Sequence, residues 1–119
     1  MRVMVIGASN NRAKFGNKAV RAFQRKNHDV LPVNPRVDEI EGLKCFRSIA
    51  AVPGPIDRAL FYVPPEIGLN VVNELAERSD VAEIWLNPGA ESLELIAKAR
   101  KLGLKLITAC AIIDIGERP

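Results

Sequence analysis

The first 36 residues constrain the fold more than any other part of the chain. A short apolar run rich in β-branched residues, Val3–Ile6, leads directly into Gly7-Ala8-Ser9. Such a run, bounded by glycine, predicts a central parallel strand that is buried on both faces. A basic stretch with helical spacing follows over about Phe15–Lys26. Val30–Val33 then predicts a second strand, which ends in Asn34-Pro35-Arg36.

The remainder of the chain continues this alternation. Further strands are predicted at Arg58–Val63, Val81–Leu86 and Leu104–Thr108, with a helix after Pro64-Pro65 and another over Glu91–Leu102. Strands that alternate with helices of about 10–12 residues predict a parallel sheet with right-handed crossovers. We therefore expect a single domain over residues 1–119, with a Rossmann-like, doubly wound α/β fold of about five parallel strands in three α/β/α layers.

The segments outside this pattern are less regular. Leu43–Phe46 predicts a short extended piece and Ser48–Ala51 one helical turn, while Ala109–Pro119 is predicted to be a tail. Pro32 lies inside the second predicted strand, and a proline there places that strand near the sheet edge.

Charge is distributed unevenly along the chain. Residues 1–28 contain no acidic side chain, whereas the rest is net acidic. The basic residues of that first segment beyond Arg2 are Arg12, Lys14, Lys18, Arg21, Arg25 and Lys26. A basic cluster beside a glycine turn fits a small polyanionic ligand, with a solvated helix face as the alternative for the last three. The net charge of +3 gives no argument for nucleic acid.

The cysteines and the hydropathy of the chain indicate the compartment in which we expect the protein. Cys45 and Cys110 are far apart and His28 is the sole histidine, so no metal-ligand spacing or disulfide framework is present. No apolar run reaches the roughly 20 residues of a membrane span, and the N-terminal run is too short for a signal peptide. We expect a cytoplasmic protein without metal or membrane contacts.

Ligands of doubly wound sheets bind beyond the C-terminal ends of the strands. There, Gly7-Ala8-Ser9 lets backbone amides approach a phosphate, and Lys14 and Phe15 at the helix start are placed to reach the same ligand. The next glycine is Gly16, so the spacing departs from GxGxxG. Arg36 stands where dinucleotide sites usually carry an acidic residue, and a cation there suits a phosphorylated ribose.

Other strand ends offer weaker signals. Asn34 can hydrogen-bond a ribose or adenine edge, and Pro35 stiffens its turn. Pro64-Pro65 forms a rigid apolar shelf for adenine or an alkyl chain, or simply starts a helix. Gly89-Ala90 is either a second place for close backbone approach or a routine turn. No nucleophile and base are brought together, since His28 is predicted at the opposite end of the sheet from Cys110, so no catalytic residue is assigned.

These motifs together resemble the CoA-binding family of small stand-alone Rossmann proteins, which are related to the CoA-binding domain of the succinyl-CoA synthetase α subunit and of ADP-forming acyl-CoA synthetases. The matching segments are Val5-Ile6-Gly7-Ala8-Ser9, Val33-Asn34-Pro35, Gly42-Leu43-Lys44-Cys45-Phe46, Tyr62-Val63-Pro64, Trp85-Leu86-Asn87-Pro88-Gly89-Ala90 and Cys110. Their order and spacing cover nearly the whole chain.

The resemblance implies CoA or an acyl-CoA as cofactor. It places Gly7, Ala8 and Ser9 at the CoA phosphates, Asn34, Pro35 and Arg36 around the adenosine 3′-phosphate, Val63 and Pro64 against the nucleotide, and Gly89 and Ala90 along the pantetheine. Asn87 joins this set, at a position where related chains often have Gln. Ligase chemistry is not expected, because the synthetases use a phosphorylatable histidine in a second domain and this chain ends at Pro119.

Three functions follow as hypotheses. The first is a CoA-binding protein without intrinsic catalysis, whose partner is a small nucleotide ligand. The alternatives are a small NADP-binding oxidoreductase or redox-sensing domain, in which Arg36 meets a 2′-phosphate, and a scaffold that binds no nucleotide. A homodimer and an unidentified protein partner are both left open.

Overall fold

Strands and helices alternate along the structure, a computed structural model that describes all 119 residues. The elements are β1 (Arg2–Ile6), α1 (Phe15–Arg25), β2 (Asp29–Val33), β3 (Glu39–Ile40), β4 (Leu43–Lys44), β5 (Ile56–Phe61), α2 (Pro65–Ala76), β6 (Val81–Leu86), α3 (Leu93–Lys101), β7 (Leu106–Thr108) and α4 (Ala111–Asp114). None of these helices has the length and apolar character needed to cross a membrane.

The main sheet has the strand order β2-β1-β5-β6-β7, and every neighbouring pair is parallel. The chain passes from β1 outward to β2 and then returns to β5 on the other side of β1. The topological switch point therefore lies between the C-terminal ends of β1 and β5. The predicted Rossmann-like fold of five parallel strands is confirmed, and β2, which contains Pro32, is an edge strand as expected.

Two apolar cores sandwich the sheet, because successive side chains of a strand point to opposite faces. In β1, Val3 and Val5 pack with α1 and α4 on one face. Met4 and Ile6 pack with α2 and α3 on the other face. All four side chains are buried, so β1 is the central strand that its apolar run predicts.

Several element ends differ from the sequence prediction. The helix predicted from Glu91 begins at Leu93, because Ser92 adopts an extended backbone and its Oγ accepts a hydrogen bond from the Leu95 N–H at 3.1 Å. The third main strand is Ile56–Phe61 rather than Arg58–Val63, since Ile56 already pairs with Val81. The last strand begins at Leu106, two residues later than predicted.

Outside the main pattern, one prediction holds in part and one is wrong. Ser48–Ala51 closes a single turn, in which the Ala51 N–H donates to the Ser48 carbonyl oxygen at 3.3 Å, but it forms no regular helix. The predicted C-terminal tail contains α4, which long-range contacts hold to the sheet. Asn87 Oδ1 accepts a hydrogen bond from the Ala111 N–H at 2.9 Å, and Arg58 pairs with Asp114 at 2.7 Å. Local sequence patterns cannot predict contacts between residues so far apart in the chain.

Helix α1 starts in direct contact with the end of β1. A Cβ added at Gly16 would lie 2.1 Å from the carbonyl oxygen of Gly7, which is too close for any side chain. Gly16 thus provides the close helix–strand approach that the third glycine of a GxGxxG motif gives other nucleotide-binding folds. This approach places the N-terminus of α1 at the switch point.

We expect Gly16→Ala to lower the free energy of unfolding by about 1–3 kcal/mol, because α1 must move away from β1 to admit the methyl group. Urea denaturation measures this change. Gly68→Ala in α2 is the matched control, since its Cβ would meet a movable atom, Leu95 Cδ2, at 3.1 Å. Its net effect should stay below about 1 kcal/mol because helix propensity offsets the contact. Equal losses in both variants would contradict the close approach at Gly16.

Candidate functional site

A cleft of about 650 Å³ lies at the switch point, and we refer to it as the main cleft. Its lining consists of Gly7, Ala8, Ser9, Ala13, Lys14, Phe15, Gly16, Asn34, Phe61, Tyr62, Val63, Pro64, Pro88, Gly89 and Ala90. These residues follow the C-terminal ends of four strands and precede three helices. The positive ends of the α1, α2 and α3 dipoles are therefore directed toward this edge of the sheet.

Gly7 permits the sharp turn from β1 into the cleft. Its φ is +86°, in the left-handed region that favours glycine. A Cβ at this position would also lie 2.5 Å from the Tyr62 carbonyl oxygen and 2.9 Å from Val63 Cγ1. Gly7 therefore allows the ends of β1 and β5 to meet closely, which forms the floor of the main cleft.

The glycine loop, residues Gly7–Lys14, presents unpaired backbone donors. The N–H groups that donate to no acceptor within the protein are those of Gly7, Ala8, Ser9, Asn10, Arg12, Phe15 and Gly16. The last two belong to the first turn of α1, whose cap residue Lys14 makes no side-chain capping bond. Unpaired N–H groups beside a helix N-terminus form a surface that suits a phosphate.

Two asparagine side chains fix the orientation of these donors. Asn34 Nδ2 donates to the Ala8 carbonyl oxygen at 2.8 Å, and Asn17 Nδ2 donates to the Ser9 carbonyl oxygen at 2.8 Å. In a planar trans peptide the N–H points away from the preceding C=O. The N–H groups of Ser9 and Asn10 are therefore directed away from Asn34 and Asn17, respectively.

A smaller cavity of about 280 Å³, the side cavity, adjoins the main cleft. Its floor is apolar and includes Ile6, Val33, Ile49, Val63 and Val71, and its rim carries Asn34, Pro35, Arg47, Ser48, Ile67 and Glu74. Gly7, Asn34 and Val63 line both spaces and form a shared ridge between them. A ligand lying across this ridge would contact both.

The basic side chains near the main cleft and the side cavity differ in whether they are already paired within the protein. Lys14 lines the main cleft, whereas the Arg36 side chain is exposed and has no partner in the protein. Arg47 on the side cavity rim binds Asp38 at 2.8 Å, and the hydrogen bond it donates lowers the pKa of that carboxyl group. Of the last three basic residues of the helix, Arg21 is half-buried and donates to Asn17. Arg25, which pairs with Glu117, and Lys26 are both exposed, as the solvated-face alternative describes.

Ten of the thirteen sequence-predicted site residues line the main cleft. They are Gly7, Ala8, Ser9, Lys14, Phe15, Asn34, Val63, Pro64, Gly89 and Ala90. Pro35 lines the side cavity, and Arg36 follows it on the exposed turn at the end of β2. The structure thus brings all of these residues to one edge of the sheet.

Asn87 lies beneath the cleft, where it connects framework elements. Its side chain is buried, with Nδ2 donating to the Phe61 carbonyl oxygen and Oδ1 accepting from the Tyr62 hydroxyl at 3.2 Å. The same Oδ1 accepts the Ala111 N–H that holds α4. Burial raises the pKa of Tyr62, so its hydroxyl stays protonated and available as this donor.

Sequence reasoning missed residues whose position depends on distant contacts. Asn17 was not singled out, although it is fully buried and holds the Ser9 carbonyl. A polar residue among the apolar positions of α1 was the available signal. Arg47 and Ser48 reach the side cavity from the irregular segment after β4, where no local pattern pointed to them.

The two cysteines and the histidine lie outside the main cleft. Cys45 is buried, and burial raises the pKa of its thiol. Cys110 is half-buried at the start of α4. His28 Nδ1 is 3.0 Å from the N-terminal amine of Met1, at the opposite edge of the sheet from Cys110.

Comparison with known proteins identifies relatives of two sizes. The α subunit of ADP-forming acetate–CoA ligase II from Pyrococcus furiosus is 29% identical over 115 residues, which cover 88% of this chain and 25% of that protein. A dinucleotide-forming acetyl-coenzyme A synthetase 1 from Ca. Korarchaeum cryptofilum, solved with phosphate and ADP, is 28% identical with a TM-score of 0.77. That match covers 91% of this chain and 25% of the synthetase, so the chain spans about a quarter of either protein.

A protein of similar size gives the fuller match. The solved structure of a conserved hypothetical protein from Pyrococcus furiosus is 40% identical, with a TM-score of 0.88, and the match covers 95% of this chain and 97% of that one. The family model described as CoA binding domain matches residues 1–116. The expected resemblance is confirmed over nearly the whole chain, which belongs to the family of CoA binding domains.

Proposed function

We propose that this domain binds CoA or an acyl-CoA at the C-terminal edge of its sheet and catalyses no reaction on that ligand by itself. The observation that carries the proposal is the glycine loop. Its unpaired N–H groups, fixed by two asparagines, lie beside the α1 N-terminus and Lys14. This arrangement suits a diphosphate such as the one that joins the two halves of CoA.

The ridge between the two spaces supports a route for the whole ligand. With the diphosphate on the glycine loop, the adenosine end lies toward the side cavity, whose apolar floor suits a base and whose rim leads to Arg36. The pantetheine then runs along the opposite end of the main cleft, past Pro88, Gly89 and Ala90. Asn87 supports this wall from below in our proposal rather than touching the ligand.

The lining of the main cleft supports a binding role without catalysis. Lys14 and Tyr62 are its titratable side chains, and the Tyr62 hydroxyl already donates to Asn87. The ligase subunit and the synthetase compared above are each about four times as long as this chain. We infer that the domain holds CoA, either to store it or to present it to a partner that acts on the thiol. The free thiols of Cys45 and Cys110 fit a reducing compartment such as the cytoplasm.

Calorimetry and thermal shift with CoA, dephospho-CoA, NADP and NAD test the proposed ligand. Saturable CoA binding should raise the melting temperature as RT ln(1 + [L]/Kd) requires. Stabilisation by NADP without any effect of CoA would replace the proposal with the oxidoreductase alternative. No response to any of the four would favour a scaffold.

The location of the site is tested by Ala13→Glu. Ala13 is exposed and lines the main cleft, so a carboxylate there would repel the ligand phosphates without disturbing the core. We expect CoA affinity to fall more than about tenfold, which is more than about 1.4 kcal/mol, at an unchanged melting temperature. Ala97→Glu, on the exposed surface of α3, is the matched control. A similar affinity for CoA in both variants would show that the ligand does not bind in the main cleft.

The adenosine end is tested by Arg36→Ala. A guanidinium that binds the 3′-phosphate contributes only when that phosphate is present. We therefore expect CoA affinity to fall by roughly tenfold and dephospho-CoA affinity to change little. Arg100→Ala removes the same charge from an exposed position on α3 and should affect neither ligand. Equal losses for both ligands in Arg36→Ala would show that this side chain does not touch the 3′-phosphate.

A further inference from the structure

The β3–β4 hairpin carries a backbone strain at Glu41. This residue has φ +49° and the following Gly42 has φ +78°, as in two-residue hairpin turns that favour Asn, Asp or Gly at both central positions. A glutamate in the left-handed region costs conformational energy, and it persists where contacts of its side chain compensate for that cost. The Glu41 side chain is 22% exposed and points back over α1 toward the glycine loop.

Glu41 contacts the buried side chain that holds this loop. Its Oε2 accepts a hydrogen bond from Asn17 Nδ2 at 3.1 Å, and its Oε1 is 3.6 Å from Arg12 Nη2. The second hydrogen of Asn17 Nδ2 serves the Ser9 carbonyl oxygen, while Asn17 Oδ1 accepts from Arg21 Nε at 2.8 Å. Arg21 Nη2 donates in turn to the Arg12 carbonyl oxygen at 2.9 Å.

These bonds permit only one orientation of the Asn17 amide. In the reversed orientation, Oδ1 would face the Ser9 carbonyl and the Glu41 carboxylate with no hydrogen between the oxygens. Without Glu41, one buried N–H of Asn17 loses its acceptor, which weakens the arrangement that fixes the Ser9 carbonyl. The Ser9–Asn10 peptide is held through that carbonyl, so the effect reaches Ser9, which lines the main cleft.

We propose that Glu41 is a positioning residue, which holds the glycine loop in its phosphate-binding shape through Asn17 without touching the ligand itself. The inference rests on the proposed function and extends it to the hairpin. The hairpin is anchored by Ile40, which is fully buried with α1, and by Asn10 Nδ2, which donates to the Glu39 carbonyl oxygen. It thus braces the loop from outside the cleft.

The position of Glu41 predicts which part of the ligand is affected. The loop faces the diphosphate, which CoA and dephospho-CoA share. Loss of the Asn17 acceptor should therefore weaken both ligands by the same factor. Arg36→Ala, by contrast, is expected to weaken the binding of CoA but not that of dephospho-CoA, which lacks the 3′-phosphate.

The test compares Glu41→Gly, which removes the acceptor and suits the left-handed backbone, with Glu41→Gln, which keeps an acceptor oxygen. Glu41→Asn also fits the turn and draws the acceptor back by one carbon, so it replaces Glu41→Gly should that variant not fold. Glu39→Gln removes an exposed carboxylate from the same hairpin and is the matched control. Calorimetry measures both ligands, and NMR order parameters report the Ser9 and Asn10 amides in the free protein.

We expect Glu41→Gly to weaken CoA and dephospho-CoA equally, by about tenfold, and to lower the order parameters of Ser9 and Asn10. Glu41→Gln and Glu39→Gln should stay within about twofold of the original protein, since a twofold change is under about 0.5 kcal/mol. Unchanged order parameters in Glu41→Gly, or an equal loss in Glu41→Gln, would overturn the inference. Absence of CoA binding by the original protein would instead refute the proposed function, and the order parameters would still decide the role of Glu41.

Discussion

Close backbone contact at the end of β1 is the constraint on which the binding edge depends. Gly7 lies under the Tyr62 carbonyl, and Gly16 brings the first turn of α1 against the Gly7 carbonyl. Both contacts exclude a side chain, so strand, loop and helix meet within the space of a few atoms. The helix N-terminus, the unpaired loop amides and the floor of the main cleft are all consequences of this one meeting point.

The close contact at the end of β1 also determines what Asn34, at the C-terminal end of β2, can reach. Asn34 directly follows β2 beside the end of β1. Its Nδ2 donates to the Ala8 carbonyl oxygen, and its Oδ1 accepts a hydrogen bond from the Arg36 N–H. One side chain thus shapes both the loop after β1 and the turn that carries Arg36. Polar groups at the two strand ends are therefore ordered together, which suits a ligand with phosphates at two separate places.

Features that depend on neighbouring residues could be predicted from the sequence. The apolar run of Val3–Ile6, the glycine after it and the alternation of strands and helices predicted the sheet and its binding edge. Most site residues follow strand ends, and parallel strands bring those ends together. The family resemblance then supplied the class of ligand, which no residue pattern alone distinguished from NADP.

Features that depend on distant pairs could not be predicted in this way. Asn17 and Glu41 are 24 positions apart, and Arg58 and Asp114 are 56 apart. Such pairs form only once the helices have packed, so the local periodicity of the sequence cannot predict them. The start of α3 was misplaced for a smaller reason, since Ser92 and Glu91 both favour a helix start and only the backbone angles of the cap decide between them.

The ridge formed by Gly7, Asn34 and Val63 has a consequence for how affinity is built. A ligand that crosses it occupies two adjoining spaces with one molecule. Once one end is bound, the other is held at a high effective concentration next to its own space. If the two halves of such a ligand were separate molecules, each would lose its own translational and rotational entropy on binding, and each would therefore bind more weakly. Under the proposed function, the domain would therefore retain intact CoA in preference to its separate halves.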